Sequence, residues 1–420
     1  MRIYSFIAMI VCLVACTNPP SEYWKPYDET AELQANQTHE NPSMQFQLIQ
    51  SKLLDKNDLW AIYEKALNRF GEDQYQALKP LIIEQDIPTL QSLIKSGLLS
   101  YEKLTLFYLY RIRKLESDPN TTLHAILALN PKVIEQAKAK DRQKNTQQHL
   151  IFGMPILLKD NINTQDMPTT AGAAFLQSHV PENDAYIVSQ IQAKGALILG
   201  KVNLSEWAYY FCDGCPLGYS AVGGQTLNPY GRKVFESGGS SSGSGVAVAA
   251  NYAVAAVGSE TSGSILSPSG HNAVVGCKPT IGLVSRTGIV PISSTLETAG
   301  PMTKNVIDNA ILLDAMQGKD ASDPSTTKAP DHIGDYIVAS QNRSISAYRL
   351  GAIKSLVKTD SLYRKAINTL RSNGASVVEF DPPNIEFKGF LSLLNKEMKN
   401  DLPNYFSTQS NQNFADDNVQ

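Results

Sequence analysis

Two stretches of this chain concentrate hydroxyl groups in backbone built to turn tightly. Residues 238–245 read Gly-Gly-Ser-Ser-Ser-Gly-Ser-Gly, and residues 258–268 read Gly-Ser-Glu-Thr-Ser-Gly-Ser-Ile-Leu-Ser-Pro. So much Gly and Ser rejects a packed strand and favours loops that point N–H groups and hydroxyls inward. An apolar helix is predicted over 246–252, directly after the first loop. A serine in such a loop is inert until a base removes its proton. Upstream, the run Gly153-Met154-Pro155-Ile156-Leu157-Leu158-Lys159-Asp160-Asn161 places a lysine at the end of an apolar segment. Burial there would favour the neutral amine over the ammonium and make it a base. A second serine between the two would pass the proton along. The chemistry open to these residue types is serine nucleophilic catalysis.

Other chemistries fit the same loops less well. A phosphate cradle needs a lysine at the end of the Gly-rich turn or a strong strand before it. Here no lysine follows, and residues 232–237 are mostly polar. A G-x-S-x-G elbow matches Gly239 to Gly243, with His271 and His332 downstream as partners, but the strand that such an elbow needs is missing. The S-x-x-K matches at Ser92–Lys95 and Ser355–Lys358 lie in unrelated contexts. Cys212 and Cys215 form a C-x-x-C with no second pair to complete a zinc site, which leaves a local disulfide, two thiols or a redox pair. Cys277, in an apolar run, reads as buried packing.

The elements that must carry these loops alternate from about residue 88. A helix is predicted over 88–96, with Pro88 near its start and Gly97 past its end. Ser100 caps a second helix in which Leu104, Phe107, Tyr108, Ile112 and Leu115 recur at helical spacing. A strand follows over 123–129, and Asn130-Pro131 opens another helix. Residues 184–194 and 361–373 read as helices stopped by Gly195 and Gly374, with strands over 196–199 and 375–380. Runs 156–158, 254–257 and 349–353 read as buried strands. Such units build α/β layers. Residues 28–80 read as irregular and helical lead-in.

The N-terminus has a short positive start, Met1-Arg2, then an apolar run over 3–14. That run is too short to span a bilayer and suits the core of a secretory signal. It ends in Leu13-Val14-Ala15-Cys16, which resembles a bacterial lipobox, so lipidation is expected at Cys16 and a tether over 17–27. Plain cleavage with Cys16 incidental, or a cytoplasmic protein, are the alternatives. The location expected is the bacterial cell envelope, lipid-anchored and facing the periplasm or outside. Lys plus Arg number 37 against 40 Asp plus Glu, with no basic block, so nucleic acid is not an expected partner.

The motifs taken together resemble the amidase signature family, closest to its peptide-amidase-like branch. The resemblance rests on the loops around Ser240 and Ser264, on Lys159-Asp160-Asn161, and on residues 195–203. It extends to the runs 275–286 and 298–303, and to 203–208, 224–230 and 246–251. It covers roughly 88–405. It implies an α/β amidase signature fold, a central mixed β-sheet covered by helices on both faces. The implied domain arrangement is a signal peptide over 1–15, tether and lead-in over 16–87, and the amidase signature domain over 88–420. It implies Ser264 as nucleophile, Ser240 as relay after a cis peptide bond, Lys159 as base, and the backbone N–H groups of Thr261, Ser262, Gly263 and Ser264 as oxyanion hole. No metal or organic cofactor is needed. The partners implied are a small-molecule or peptide amide and, through the lipid anchor, the membrane.

Leu266 replaces an arginine that many members carry, and Glu297 stands where Asp is expected. The family usually continues beyond the polar tail over 407–420, so a C-terminally short member is expected. The expected reaction is hydrolysis of carboxylic or peptide C-terminal amides to acid and ammonia. The alternatives are a catalytically impaired or vestigial envelope lipoprotein, or the amidase component of a tRNA-dependent amidotransferase.

Overall fold

The computed structural model describes residues 23–143, 148–212, 214–328, 335–341 and 344–409. The expected signal over 1–15, Cys16, His332 and most of the polar tail lie outside the described residues.

Short apolar runs bounded by turns make the strands. Six of them, β1 (Ile126–Leu129), β2 (Pro155–Lys159), β3 (Leu197–Val202), β6 (Ala255–Glu260), β7 (Val275–Gly276) and β8 (Thr298–Thr303), form one sheet in the order β1-β3-β2-β6-β8-β7. β4 (Tyr219–Ser220) and β5 (Gly224–Gln225) make a separate hairpin. β2 runs parallel to both β3 and β6, whereas β1, β8 and β7 join antiparallel. The sheet is therefore mixed, and helices flank it. β2 and β6 are buried throughout, as near-continuous apolar strands in a covered parallel sheet must be. Because β2, β3 and β6 are parallel, their C-terminal ends share one edge. Lys159 closes β2 on that edge, and the loop carrying Ser264 leaves β6 there.

The helix after the first Gly/Ser loop spans Ser242–Ala249, starting earlier and ending sooner than the apolar run alone suggests. Small residues let it lie close to the sheet: a Cβ at Gly243 would stand 2.4 Å from the Asn203 carbonyl oxygen. The lead-in resolves into helices that include Lys56–Ala61 and Glu64–Ile82, and Trp60, Leu67, Phe70 and Ile82 share one apolar core with the sheet.

β9 (Arg349–Ile353) and β10 (Ser376–Phe380) pair in parallel as a two-stranded sheet of their own. The sequence reading of 349–353 as a buried strand is corrected here: of its residues only Ala352 is buried. Among the described residues β9 has β10 as its single strand partner, and β10 stands mostly exposed. A last helix, Phe390–Ser407, returns toward the C-terminal edge of β2. Among the described residues no helix is long and apolar enough to cross a membrane.

Candidate active site

Lys159 is fully buried and reaches past the end of β2 to three oxygens. Its Nζ lies 2.8 Å from Ser240 Oγ, 3.0 Å from Ser259 Oγ and 3.1 Å from the Ser259 carbonyl. Burial pulls this amine down to about 8, although the nearby carboxyls of Glu297 and Glu260 oppose the shift. Near neutral pH the lysine is thus far easier to deprotonate than an exposed one.

Ser240 follows a cis Gly239–Ser240 peptide bond and is buried. Its loop is laced to the loop of Ser264 through backbone, where the Ser241 N–H donates to the Ser264 carbonyl at 3.0 Å. Ser241 adds a second tie, its Oγ donating to the Ser259 carbonyl at 3.0 Å. The structure therefore joins Lys159 to Ser240 directly. Ser264 is held beside them by backbone, with no hydrogen bond between the Ser240 and Ser264 hydroxyls.

The chain around Ser264 turns from β6 into the short helix Leu266–His271. Glu260 shapes this turn: one of its carboxylate oxygens accepts from the Ile265 N–H at 2.7 Å and the Leu266 N–H at 3.0 Å. The four N–H groups just before, those of Thr261, Ser262, Gly263 and Ser264, donate to no backbone carbonyl among the described residues. Consecutive uncommitted donors beside a serine are what stabilisation of a developing oxyanion requires.

Sequence reading left two contributors without a role. Ser259 sits between Lys159 and a buried carboxyl: its hydroxyl accepts from Lys159 and from Asn161 Nδ2 at 2.9 Å, and it contacts Glu297. Glu297 is buried, and burial pushes its carboxyl up; it accepts from Thr261 Oγ1 and from the Ile292 N–H at 3.4 Å. One carboxyl thereby touches the first residue of the donor loop and, through Ser259, the surroundings of the lysine. The available signal was polar residues inside otherwise apolar strands and the departure at 297, but pairing them required the fold.

Next to the lysine, Asp160 forms a buried ion pair with Lys201 at 3.3 Å and accepts from the Thr170 hydroxyl. Lys201 also donates to the Ile162 carbonyl at 2.6 Å, so this pair holds the chain beyond β2 in place. His271, the possible partner in the elbow reading, contacts its own helix at Ser267 and stands 3.9 Å from Glu236. Cys212 and Cys215 form a disulfide, and Cys277 is half-buried rather than fully buried. Among the described residues no group of three or more His, Cys, Asp or Glu side chains is gathered as for a metal ion.

The family model described as Amidase matches residues 103–412. A probable amidase of Arabidopsis thaliana is 42% identical over 296 residues, covering 69% of this chain and 56% of that protein. A glutamyl-tRNA(Gln) amidotransferase subunit of Exiguobacterium sibiricum is 36% identical over 314 residues, covering 73% of this chain and 62% of that one. Among solved structures, an amidase family protein from Bacillus anthracis superposes with a TM-score of 0.82 at 36% identity, covering 86% of this chain and 73% of that one. Native peptide amidase from Stenotrophomonas maltophilia gives 0.73 at 42% identity, covering 78% and 68%. The chain thus spans little more than half the length of the curated relatives it matches.

Proposed function

The chain belongs to the amidase signature family, and from that premise we propose that it hydrolyses carboxylic amides, peptide C-terminal amides among them, to acid and ammonia. The observation that carries this reading is the buried Lys159 amine 2.8 Å from Ser240, in a loop laced to that of Ser264. In this reading neutral Lys159 takes the Ser240 proton as Ser240 takes that of Ser264. Ser264 Oγ attacks the amide carbon, and the oxyanion rests on the N–H groups of Thr261 to Ser264. The protons return to the leaving ammonia, and water then hydrolyses the acyl-enzyme. Residues 88–420 carry the reaction, residues 16–87 serve as tether and lead-in, and residues 1–15 export the chain.

Ammonia release from a panel of peptide and aliphatic amides is the test. The Ser264→Ala variant should lose on the order of 10⁴-fold or more, the scale at which members of such triads act as a unit. Turnover unchanged in that variant refutes the mechanism. An acyl-serine probe that labels no residue points instead to a vestigial protein.

The likeness to an amidotransferase component favours a second reading, delivery of ammonia to a charged tRNA. Free ammonia released without tRNA or a partner protein decides for hydrolysis. For the envelope location, a labelled fatty acid should be incorporated by the wild-type chain and not by Cys16→Ser; equal labelling of both excludes Cys16 as the anchor.

A further inference from the structure

The segment after β3 is tied to the relay loop at its start. The Ser205 N–H donates to the Ser240 carbonyl at 3.0 Å, and Ser205 Oγ accepts from the Gly218 N–H at 2.8 Å. Between those anchors Trp207, Ala208 and Tyr209 take left-handed backbone in succession, with φ of 50°, 54° and 73°. None is glycine, and such backbone persists only where its surroundings over-determine it, most often at functional sites. The surroundings here are explicit. The Cys212–Cys215 disulfide closes the far side, and Tyr209 donates its hydroxyl to the Cys215 carbonyl at 2.8 Å. The Trp207 N–H donates to the Ala171 carbonyl at 2.8 Å, and the Ala171 N–H donates to the Asp160 carbonyl, one residue beyond Lys159.

This scaffold presents rings. Trp207 stacks on Phe175 at 5.7 Å and meets Phe211 edge-on at 5.7 Å, while Tyr210 packs on Phe211 at 5.0 Å. Phe175 is 61% exposed and Phe211 60% exposed. Exposed aromatic surface held rigidly is unusual and marks a place of binding. It lies on the edge where β2, β3 and β6 end, the edge at which open α/β sheets bind ligands.

We propose that the Phe175–Trp207–Phe211 ring cluster sets substrate specificity by receiving an aromatic or branched aliphatic side chain on the acyl half of the amide. The inference rests on the amidase reading. The leaving group there is ammonia, so any side chain to be recognised belongs to the acyl half. The bound residue slides its side chain against the rings while its carbonyl carbon faces Ser264. The disulfide keeps the rings in place when no substrate is bound.

The test uses the purified chain with the primary amides of phenylalanine, leucine, alanine and aspartate. The ratio of kcat/KM for the phenylalanine amide over the alanine amide is the readout. It should be about tenfold or more, the scale an apolar pocket gives for such side-chain differences. Phe211→Ala and Phe175→Ala should collapse that ratio toward one, and Phe211→Leu should keep most of it. A wild-type ratio near one overturns the proposal. So does a loss in the alanine variants that is equal for all four amides, which is what a merely structural role would give. Should no amide be hydrolysed at all, titration of the same four into the chain by calorimetry separates the two claims. Tighter binding of the phenylalanine amide, lost in Phe211→Ala, keeps the ring cluster while the amidase reading falls, and equal binding of all four removes the ring cluster.

Discussion

Lys159 has three polar neighbours and, when neutral, only two hydrogens to give them. The Ser259 carbonyl can only accept, and the Ser259 hydroxyl, which accepts from Asn161, gives its own hydrogen to the Glu297 carboxyl and so can only accept from the lysine. The two hydrogens therefore go to Ser259, and the lone pair is left facing Ser240 Oγ, the arrangement a base needs. In the proposed mechanism the neutral amine is the active form, and burial brings this amine to about 8, so kcat/KM should rise with pH through about 8 and then level. A profile flat from pH 6 to 9 excludes Lys159 as the base. Lys159→Arg keeps a cation that cannot be deprotonated, and should cost about 10²–10⁴-fold in kcat, the usual range for losing a general base. Glu297 favours the charged lysine, so Glu297→Gln should move the rising limb to lower pH. A limb that stays in place confines Glu297 to holding Thr261.

At the scale of the elements, the site depends on how closely the Ser242–Ala249 helix approaches the end of β3. Gly243→Ala puts a methyl against both the nitrogen and the oxygen of Asn203, backbone that cannot swing away. The variant should lose about 1–3 kcal/mol of stability, the usual cost of overpacking, read as a lower midpoint in denaturant. A midpoint equal to wild type means the helix can shift without harm. These elements were largely legible in the sequence. Gly/Ser loops, a lysine closing an apolar run and glycine stops after helices are local signals, and local signals survive without a fold. The helix Glu64–Ile82 was not, because Gly71, at a φ of 65°, kinks it and Pro80 sits inside it, which breaks the helical pattern. Nor could the sequence join Thr261 to Glu297 or Asn163 to Tyr405. Those contacts span 36 and 242 residues, and no local pattern encodes partners so distant. The exposure of β9 was likewise hidden, since five mostly apolar residues look the same whether covered or not.

At the scale of the whole molecule, the Phe390–Ser407 helix fastens the last described part of the chain to the edge of the site. Tyr405 donates its hydroxyl to Asn163 Oδ1 at 2.7 Å, Asp401 accepts from the Ser294 N–H at 2.7 Å, and Glu397 accepts from the Ser293 and Thr295 hydroxyls. Tyr405→Phe removes one buried hydrogen bond and leaves Asn163 short of a donor, so about 1–3 kcal/mol of stability should be lost. An unchanged melting curve means that the helix is held by its carboxylates instead. The β9–β10 pair, by contrast, stands with both outer edges unpaired among the described residues, and Val378 and Phe380 exposed on β10. Strand edges of that kind are ready to accept a strand from another molecule. The practical consequence concerns handling: this chain should sediment as growing assemblies when concentrated, and turn cloudy on gentle warming before its main core melts. Val378→Lys places a charge on that strand and should keep concentrated solutions clear, leaving the apparent mass independent of dilution.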